Sequence, residues 1–274
     1  MNAKRTAFFV SDRTGITAET LGQSLLTQFQ AIRFTKVNLP FIDSLEKAQR
    51  VCERINEAAA LDGARPLVFS TLLNPEARDL IASCNAFFMD FFDAFIGPME
   101  DELGVKSSHA MGLSHGLVND SYYKQRMDAV NFTLTHDDGA TTKDFDKADI
   151  ILTGVSRCGK TPTCLYLALQ FGVRAANFPL ADHDFEENRL PKALQPFRQK
   201  LYALTISPER LHQIRQERMP GSRYASAANC QYEVRQAEAL FRANGISFVD
   251  TSTKSIEEIA TTILHETKLA RRHF

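Results

Sequence analysis

The chain has 274 residues, 44 % of them apolar, which is enough material for one large or two modest cores. Its 32 basic and 33 acidic side chains nearly cancel, so no general electrostatic case exists for nucleic-acid or membrane binding. The apolar runs are too short for an ordinary membrane-spanning helix.

The N-terminal stretch MNAKRTAFFVSDRTG has too short an apolar region for a signal peptide and runs straight into structured-looking sequence. Cys52, Cys84, Cys158, Cys164 and Cys230 form no C-x-x-C pair and leave an odd count, which argues against a disulfide framework or a structural zinc site. A cytoplasmic protein is expected.

Thr6–Ser11 reads as a buried strand, the run Asp12-Arg13-Thr14-Gly15 as a turn, and Ile16–Phe29 as a helix with Leu21, Leu25 and Phe29 on one face. Asp12 and Thr14 could stand at a ligand site beyond the strand's C-terminal end, or they could simply close the turn and cap the helix. Ile32–Leu39 reads as a strand and Asp43–Ala60 as a helix opened by Asp43 and Glu46 at capping-box spacing. Arg65–Ser70 is a further strand, and Asn74-Pro75-Glu76 caps and opens a shorter helix. Phe87–Phe95 is strongly apolar and suits core, an interdomain face or a homodimer contact equally. Strands alternating with helices predict an α/β N-terminal domain over residues 1–104, then a connecting segment over 105–120. The small polar residues around His109 and His115 in that segment favour a loop over a metal site.

Residues 121–274 are expected to form a C-terminal P-loop kinase-like α/β domain. Tyr122–Leu134 reads as a helix ending in Thr135-His136-Asp137-Asp138-Gly139, where Asp-Gly is a turn signal in its own right. Adjacent carboxylates beside a histidine also suit Mg²⁺ binding or proton abstraction. Then comes DIILTGVSRCGKTPT, Asp149–Thr163: a buried strand followed by G-x-x-x-x-G-K-[ST] and a helix. Gly154 and Gly159 let the backbone curl so that the N–H groups of Val155, Ser156, Arg157, Cys158 and Gly159 face phosphate oxygens. Lys160 would reach the terminal phosphates and the Thr161 hydroxyl would sit on Mg²⁺. Pro162, in the first helical turn, lacks an N–H that would have had no partner there.

Gly172 is placed to end that helix, and Val173–Phe178 and Leu201–Ile206 return as strands around an acidic, proline-bearing loop. Ser207-Pro208-Glu209 opens a helix. MPGSRYAS, Met219–Ser226, then interrupts the helices with an Arg223 that could clamp phosphate or be merely solvated. Ala228–Ala243 is helical, Ile246–Asp250 a strand, and Ser255 with Glu258 opens the last helix. Asp250 could orient magnesium or cap its strand. No internal repeat is visible in the sequence.

A nucleotide site of this kind makes phosphoryl transfer the natural chemistry, with Lys160, Arg157 and Mg²⁺ neutralising charge and Asp137 or Asp138 as base or magnesium ligand. Thr161 and Asp138 are the expected metal ligands. An ATP-dependent kinase of a small molecule and a non-catalytic nucleotide sensor remain open readings.

GVSRCGKTPT followed by LYLALQFGVRAANFP resembles the bacterial phosphoenolpyruvate synthase regulatory proteins. So do SDRTGITAETLG, HDDG, SRYAS with Cys230 and Glu233, and SIEEIA, in the same order over essentially the whole chain. The sister family acts on pyruvate, phosphate dikinase, and Cys158-Gly159-Lys160 with Ala175-Ala176-Asn177 leans towards the synthase branch. The resemblance implies a bifunctional enzyme. With ADP it phosphorylates and inactivates a threonine of phosphoenolpyruvate synthase; with inorganic phosphate it removes that group as pyrophosphate. Gly154–Thr161 would then hold ADP, and the Asp12 motif would serve target docking or complete the site.

Overall fold

The computed structural model describes residues 4–108, 120–185 and 189–269. His109 and His115 lie outside them. The chain divides into two compact units, Met1–Leu117 and Val118–Phe274, and each contains an all-parallel four-stranded sheet with helices between its strands. The expected α/β class is therefore observed.

In the first unit β1 (Lys4–Val10) is central, between β2 (Arg33–Leu39) and β3 (Leu67–Ser70), with β4 (Phe87–Asp90) beyond β3. Parallel strands need crossovers, supplied here by α1 (Ile16–Leu26), α2 (Leu45–Asp62) and α3 (Pro75–Ala82). The apolar run of β1 is explained by burial on both faces. Phe8 and Val10 pack with Val51, Ile55 and Ile81 of α2 and α3, while Ala7 and Phe9 pack with Ala18 and Leu26 of α1 and with Phe91. Ser44, not Asp43, caps α2 by accepting from the Lys47 N–H; Asp43 instead pairs with the Lys47 ammonium.

The segment Phe87–Phe95 proves to be two elements: β4 ends at Asp90, whose side chain caps α4 (Phe91–Leu103). Phe91 enters the core, whereas Phe95, Met99 and Leu103 recur every fourth residue along α4 and stay exposed. The cysteine expectation needs a correction too. Cys52 of α2 and Cys84, just beyond α3, form a disulfide because the packed helices bring their Cα atoms to 5.8 Å. The odd count hid this pair; the other three thiols are free and buried.

In the second unit β5 (Ile150–Gly154) is central and wholly buried, between β6 (Ala175–Pro179) and β7 (Leu201–Thr205), with β8 (Phe248–Asp250) beyond β7. The helices are α5 (Asp120–Thr135), α6 (Lys160–Phe171), α7 (Pro208–Arg218), α8 (Ala227–Ala243) and α9 (Ile256–Thr267). α6 packs against α5 and α9, and α7 against α8. Pro208 and the Ser207 cap open α7 as expected, and Ser255 with Glu258 forms a complete capping box on α9. Among the described residues no helix is long and apolar enough to cross a membrane.

The two sheets share one strand order. The central first strand is flanked by the second and third, with the fourth outside the third. A topological repeat is thus present where the sequence gives no visible one, because strand order depends on crossovers and not on side-chain identity.

Candidate functional site

β5 ends at Gly154 and α6 begins at Lys160, so Val155–Gly159 forms the connecting loop. This is the edge of a parallel sheet, beyond the C-terminal end of its central strand, where α/β proteins bind ligands. The backbone is unusual at three points in succession: Gly154 has φ 149°, Arg157 76° and Gly159 94°. A Cβ on Gly154 would stand 2.3 Å from the Leu204 carbonyl oxygen, so β7 closes directly over that glycine. Gly154→Ala is expected to destabilise the unit by about 1–3 kcal/mol, the usual range for overpacking. A thermal melt checks this, and an unchanged Tm would refute the close approach.

α6 starts without a side-chain cap, its N-cap being Gly159. Its first-turn N–H groups and dipole therefore suit an anion. Lys160 is buried and donates to the carbonyl oxygens of Gly154 (3.1 Å) and Val155 (2.9 Å). Val155 and Cys158 point into the core, so only their backbones are available to a ligand. Burial raises the Cys158 thiol pKa, with the Lys160 charge opposing it only in part, so this sulfur is no ready nucleophile. From the far side, the Thr251 hydroxyl lies 3.0 Å from the carbonyl oxygens of both Cys158 and Thr205.

The turn after α5 reaches the loop through β6. The Asn177 N–H donates to the His136 carbonyl and the Gly139 N–H to the Asn177 carbonyl, both at 3.0 Å. That pairing carries Asp137 onto α6, where its Oδ1 accepts from the Thr161 hydroxyl at 2.8 Å. Asn177 Nδ2 donates to the same carboxylate oxygen and lies 3.0 Å from Thr161 Oγ1. Its Oδ1 is buried without a hydrogen-bond partner among the described residues, a polar group of the kind found at working sites. Asp138 has φ 53° and is exposed, and its carboxylate bonds to no group among the described residues. Of the two adjacent carboxylates it is Asp137 that hydrogen-bonds Thr161, while Asp138, the expected metal ligand, lines the same cavity without touching that hydroxyl. His136 is buried with both ring nitrogens 2.7 Å from carbonyl oxygens, of Phe132 and Lys143, so it anchors the turn.

Asp137, Asp138, Ser156, Arg157, Lys160 and Thr161 line one cavity of about 530 Å³. A neighbouring cavity of about 470 Å³ shares Ser156 and is lined by His183, Arg223, Tyr224 and Glu233. Between them, Ser156 Oγ meets Tyr224 Oη at 2.9 Å. Beneath lies a buried ion pair: Arg215, with no exposure, bonds both Glu233 oxygens, the Tyr224 carbonyl and the Ser156 carbonyl. The Tyr224 ring stacks over that guanidinium at 4.0 Å. Burial works against the Arg215 charge, but its bonds to Glu233 win and raise its pKa above the ordinary value. Asp250 lies away from both cavities, its carboxylate accepting from the Ser252 N–H at 2.8 Å to close a turn. Asp12 belongs to the other unit.

Residues 7–264 match the family described as kinase/pyrophosphorylase. The chain belongs to that family. Among its relatives, a protein of Stutzerimonas stutzeri is 55 % identical over 269 residues, 98 % of this chain and 99 % of its own. A protein of Pseudomonas aeruginosa is 54 % identical over 272 residues, covering 99 % of each chain. One of Laribacter hongkongensis is 54 % identical over 274 residues, 99 % of this chain and 100 % of its own. All three are provisionally named phosphoenolpyruvate synthase regulatory proteins. The resemblance read from the motifs is borne out.

In this member of the kinase/pyrophosphorylase family, three parts of the site escape a reading of the motifs alone. They are Asn177 on Asp137, Tyr224 on Ser156, and the Arg215–Glu233 pair under the loop. Asn177 carries a signal that can be recognised afterwards: it is the one polar residue in the otherwise apolar run Ala175-Ala176-Asn177-Phe178, whose first three residues are buried. Arg215 carries none, because it looks like any other basic residue of the polar helix RLHQIRQER.

Proposed function

We propose that the chain is a two-way switch on phosphoenolpyruvate synthase, phosphorylating a target threonine with ADP and removing that phosphoryl group with inorganic phosphate. The observation that carries this reading is the contact of Asp137 and Asn177 with Thr161 of the phosphate loop. It sets carboxylates beside a polyphosphate cradle, as phosphoryl transfer needs. The family description and the names of the relatives support the reaction type and the target.

In the kinase direction the threonine oxygen attacks the β-phosphorus of ADP. A bond forms there as the bond to the α–β bridging oxygen breaks, and AMP leaves. The threonine proton passes to a carboxylate, and Asp138 is the candidate because nothing in the described protein occupies it. In the other direction an oxygen of inorganic phosphate attacks the phosphothreonine phosphorus. Pyrophosphate forms as the bond from phosphorus to the threonine oxygen breaks, and the proton given up by the attacking phosphate passes through the same carboxylate to the departing threonine oxygen. Both transfers need two phosphoryl groups held in line with their charge neutralised. The N–H groups of Val155–Gly159, Arg157 and Lys160 would do this, Lys160 exchanging its two carbonyl partners for phosphate oxygens.

Among the described residues no group of three metal-ligating side chains exists. This suits Mg²⁺ bound through one or two protein oxygens plus phosphates and water. Thr161 and Asp137 fit that role, and the ion would supply further charge neutralisation.

The test is ADP labelled in its β-phosphate, mixed with this protein and phosphoenolpyruvate synthase in its free and phosphohistidine forms. Label on a synthase threonine, released as pyrophosphate when phosphate is added, is the expected result. Label arriving only from ATP, or saturable ADP binding with no transfer at all, would overturn it.

A further inference from the structure

The first unit repeats, at its own central strand, the strand–loop–helix connection and the left-handed N-cap glycine of the phosphate loop, but not the positive φ of Gly154 or Arg157. Ser11–Gly15 joins β1 to α1 as Val155–Gly159 joins β5 to α6. Each helix has a left-handed glycine as N-cap, Gly15 at φ 77° and Gly159 at 94°, and no side-chain cap. The alternative of Asp12 or Thr14 capping α1 is therefore not realised. Counted from the strand ends, Arg13, Gly15 and Thr17 stand where Arg157, Gly159 and Thr161 do. The other five positions differ, among them Ile16 in place of Lys160 and Val10 in place of Gly154.

A helix N-terminus alone says little. Two buried side chains beside it say more. Thr71 is 4 % exposed, makes no side-chain hydrogen bond among the described residues, and lines a cavity of about 50 Å³ with Ser11, Asp12, Thr14 and Thr17. Asp12 is 7 % exposed and accepts from the Leu73 N–H through one oxygen at 3.3 Å. Its other oxygen has no partner, and no cation pairs with it, among the described residues. The Arg13 guanidinium is likewise unengaged there, and a cleft of about 270 Å³ opens beside Asp12 and Arg13.

We propose that this pocket in the first unit binds a singly protonated phosphate group, with inorganic phosphate as its ligand. The α1 N–H groups, the Thr71 and Thr17 hydroxyls and Arg13 donate to its oxygens. The Asp12 carboxylate can only accept. It repels an oxyanion that carries no proton and bonds one that keeps a proton near neutral pH, which phosphate does and sulfate does not. Without a counterpart to Lys160 the loop suits one phosphate group and not a diphosphate. The binding claim is independent of the function proposed above. Its use does rest on that function: a phosphate site apart from the transfer site would let phosphate level influence the direction of the switch.

Equilibrium dialysis of labelled inorganic phosphate against full-length Lys160→Ala, whose other loop is weakened, tests the site. One phosphate per chain should remain. Thr71→Val or Arg13→Gln, added to that background, should weaken it by about tenfold or more, as expected for a lost hydrogen bond to a charged group. Sulfate should displace it poorly, and Asp12→Asn should narrow the preference for phosphate over sulfate by about tenfold or more. Thr71→Val is close to isosteric, so it keeps the test valid if Asp12→Asn fails to fold. Displacement by AMP at equal concentration would overturn the choice of inorganic phosphate in favour of a phosphate monoester. No phosphate on Lys160→Ala, sulfate competing as an equal, or no effect of either donor variant would overturn the site. Absence of ADP-dependent transfer by the wild-type chain would sink the proposed function and leave this result standing.

Discussion

Asp138→Asn is expected to leave ADP bound and to slow phosphoryl transfer by about 10²- to 10⁴-fold, the usual contribution of a general base. Both directions should fall together, because the same carboxyl group is proposed to take the threonine proton in one and to supply a proton in the other. Asp137→Asn should behave differently. Asp137 is engaged with Thr161 and Asn177, so its loss should disturb the magnesium side of the cavity. The expected sign is a raised Mg²⁺ requirement, with activity recovering in part at high Mg²⁺. Rates measured in both directions across a Mg²⁺ series separate the two roles. Normal turnover in Asp138→Asn, with Asp137→Asn inactive at every Mg²⁺ level, would reverse the assignment.

The second large effect concerns the buried ion pair. Glu233→Gln should destabilise the second unit by about 3–5 kcal/mol, because it leaves the Arg215 charge buried without its counter-ion. For a unit of this size that corresponds to a fall in Tm of roughly 6–20 °C. ADP affinity should drop as well, since Arg215 also holds the Ser156 carbonyl from below at 3.1 Å. The double variant Arg215→Met with Glu233→Leu distinguishes the two roles. Apolar replacements of a buried pair often restore stability, but they offer nothing to the Ser156 carbonyl. Recovered Tm with ADP binding still weak is expected. Recovery of both would reduce the pair to a packing element, and a Glu233→Gln chain as stable as the wild type would refute the electrostatic argument.

What the sequence made legible was local. β5, its loop and α6 could be read because the strand, the glycines and the lysine are contiguous, and Pro75, Pro208 and the Ser255–Glu258 box marked helix starts for equally local reasons. The missed parts of the site depend on residues far apart in the chain. Tyr224 is 68 residues from Ser156, and Arg215 is 59 from the same residue. No periodicity reports such pairings. The apolar run Phe87–Phe95 was ambiguous because four residues of strand and the first turn of a helix have the same composition. Only the capping side chain of Asp90 separates them. Choosing between Asp137 and Asp138 was beyond any spacing rule, since the decision is made by the backbone pairing of Asn177 with the turn.

The Thr251 hydroxyl has a consequence for synthesis. It meets the Cys158 carbonyl, whose residue is translated 93 positions earlier. All four strands of the first sheet have left the ribosome's peptidyl-transfer centre by Asp90, so that unit can fold while the rest is still being made. The loop between β5 and α6 cannot be completed so early: until β8 joins its sheet and delivers Thr251, it lacks its rear hydrogen bond, so the cradle proposed for a nucleotide is finished only late in synthesis.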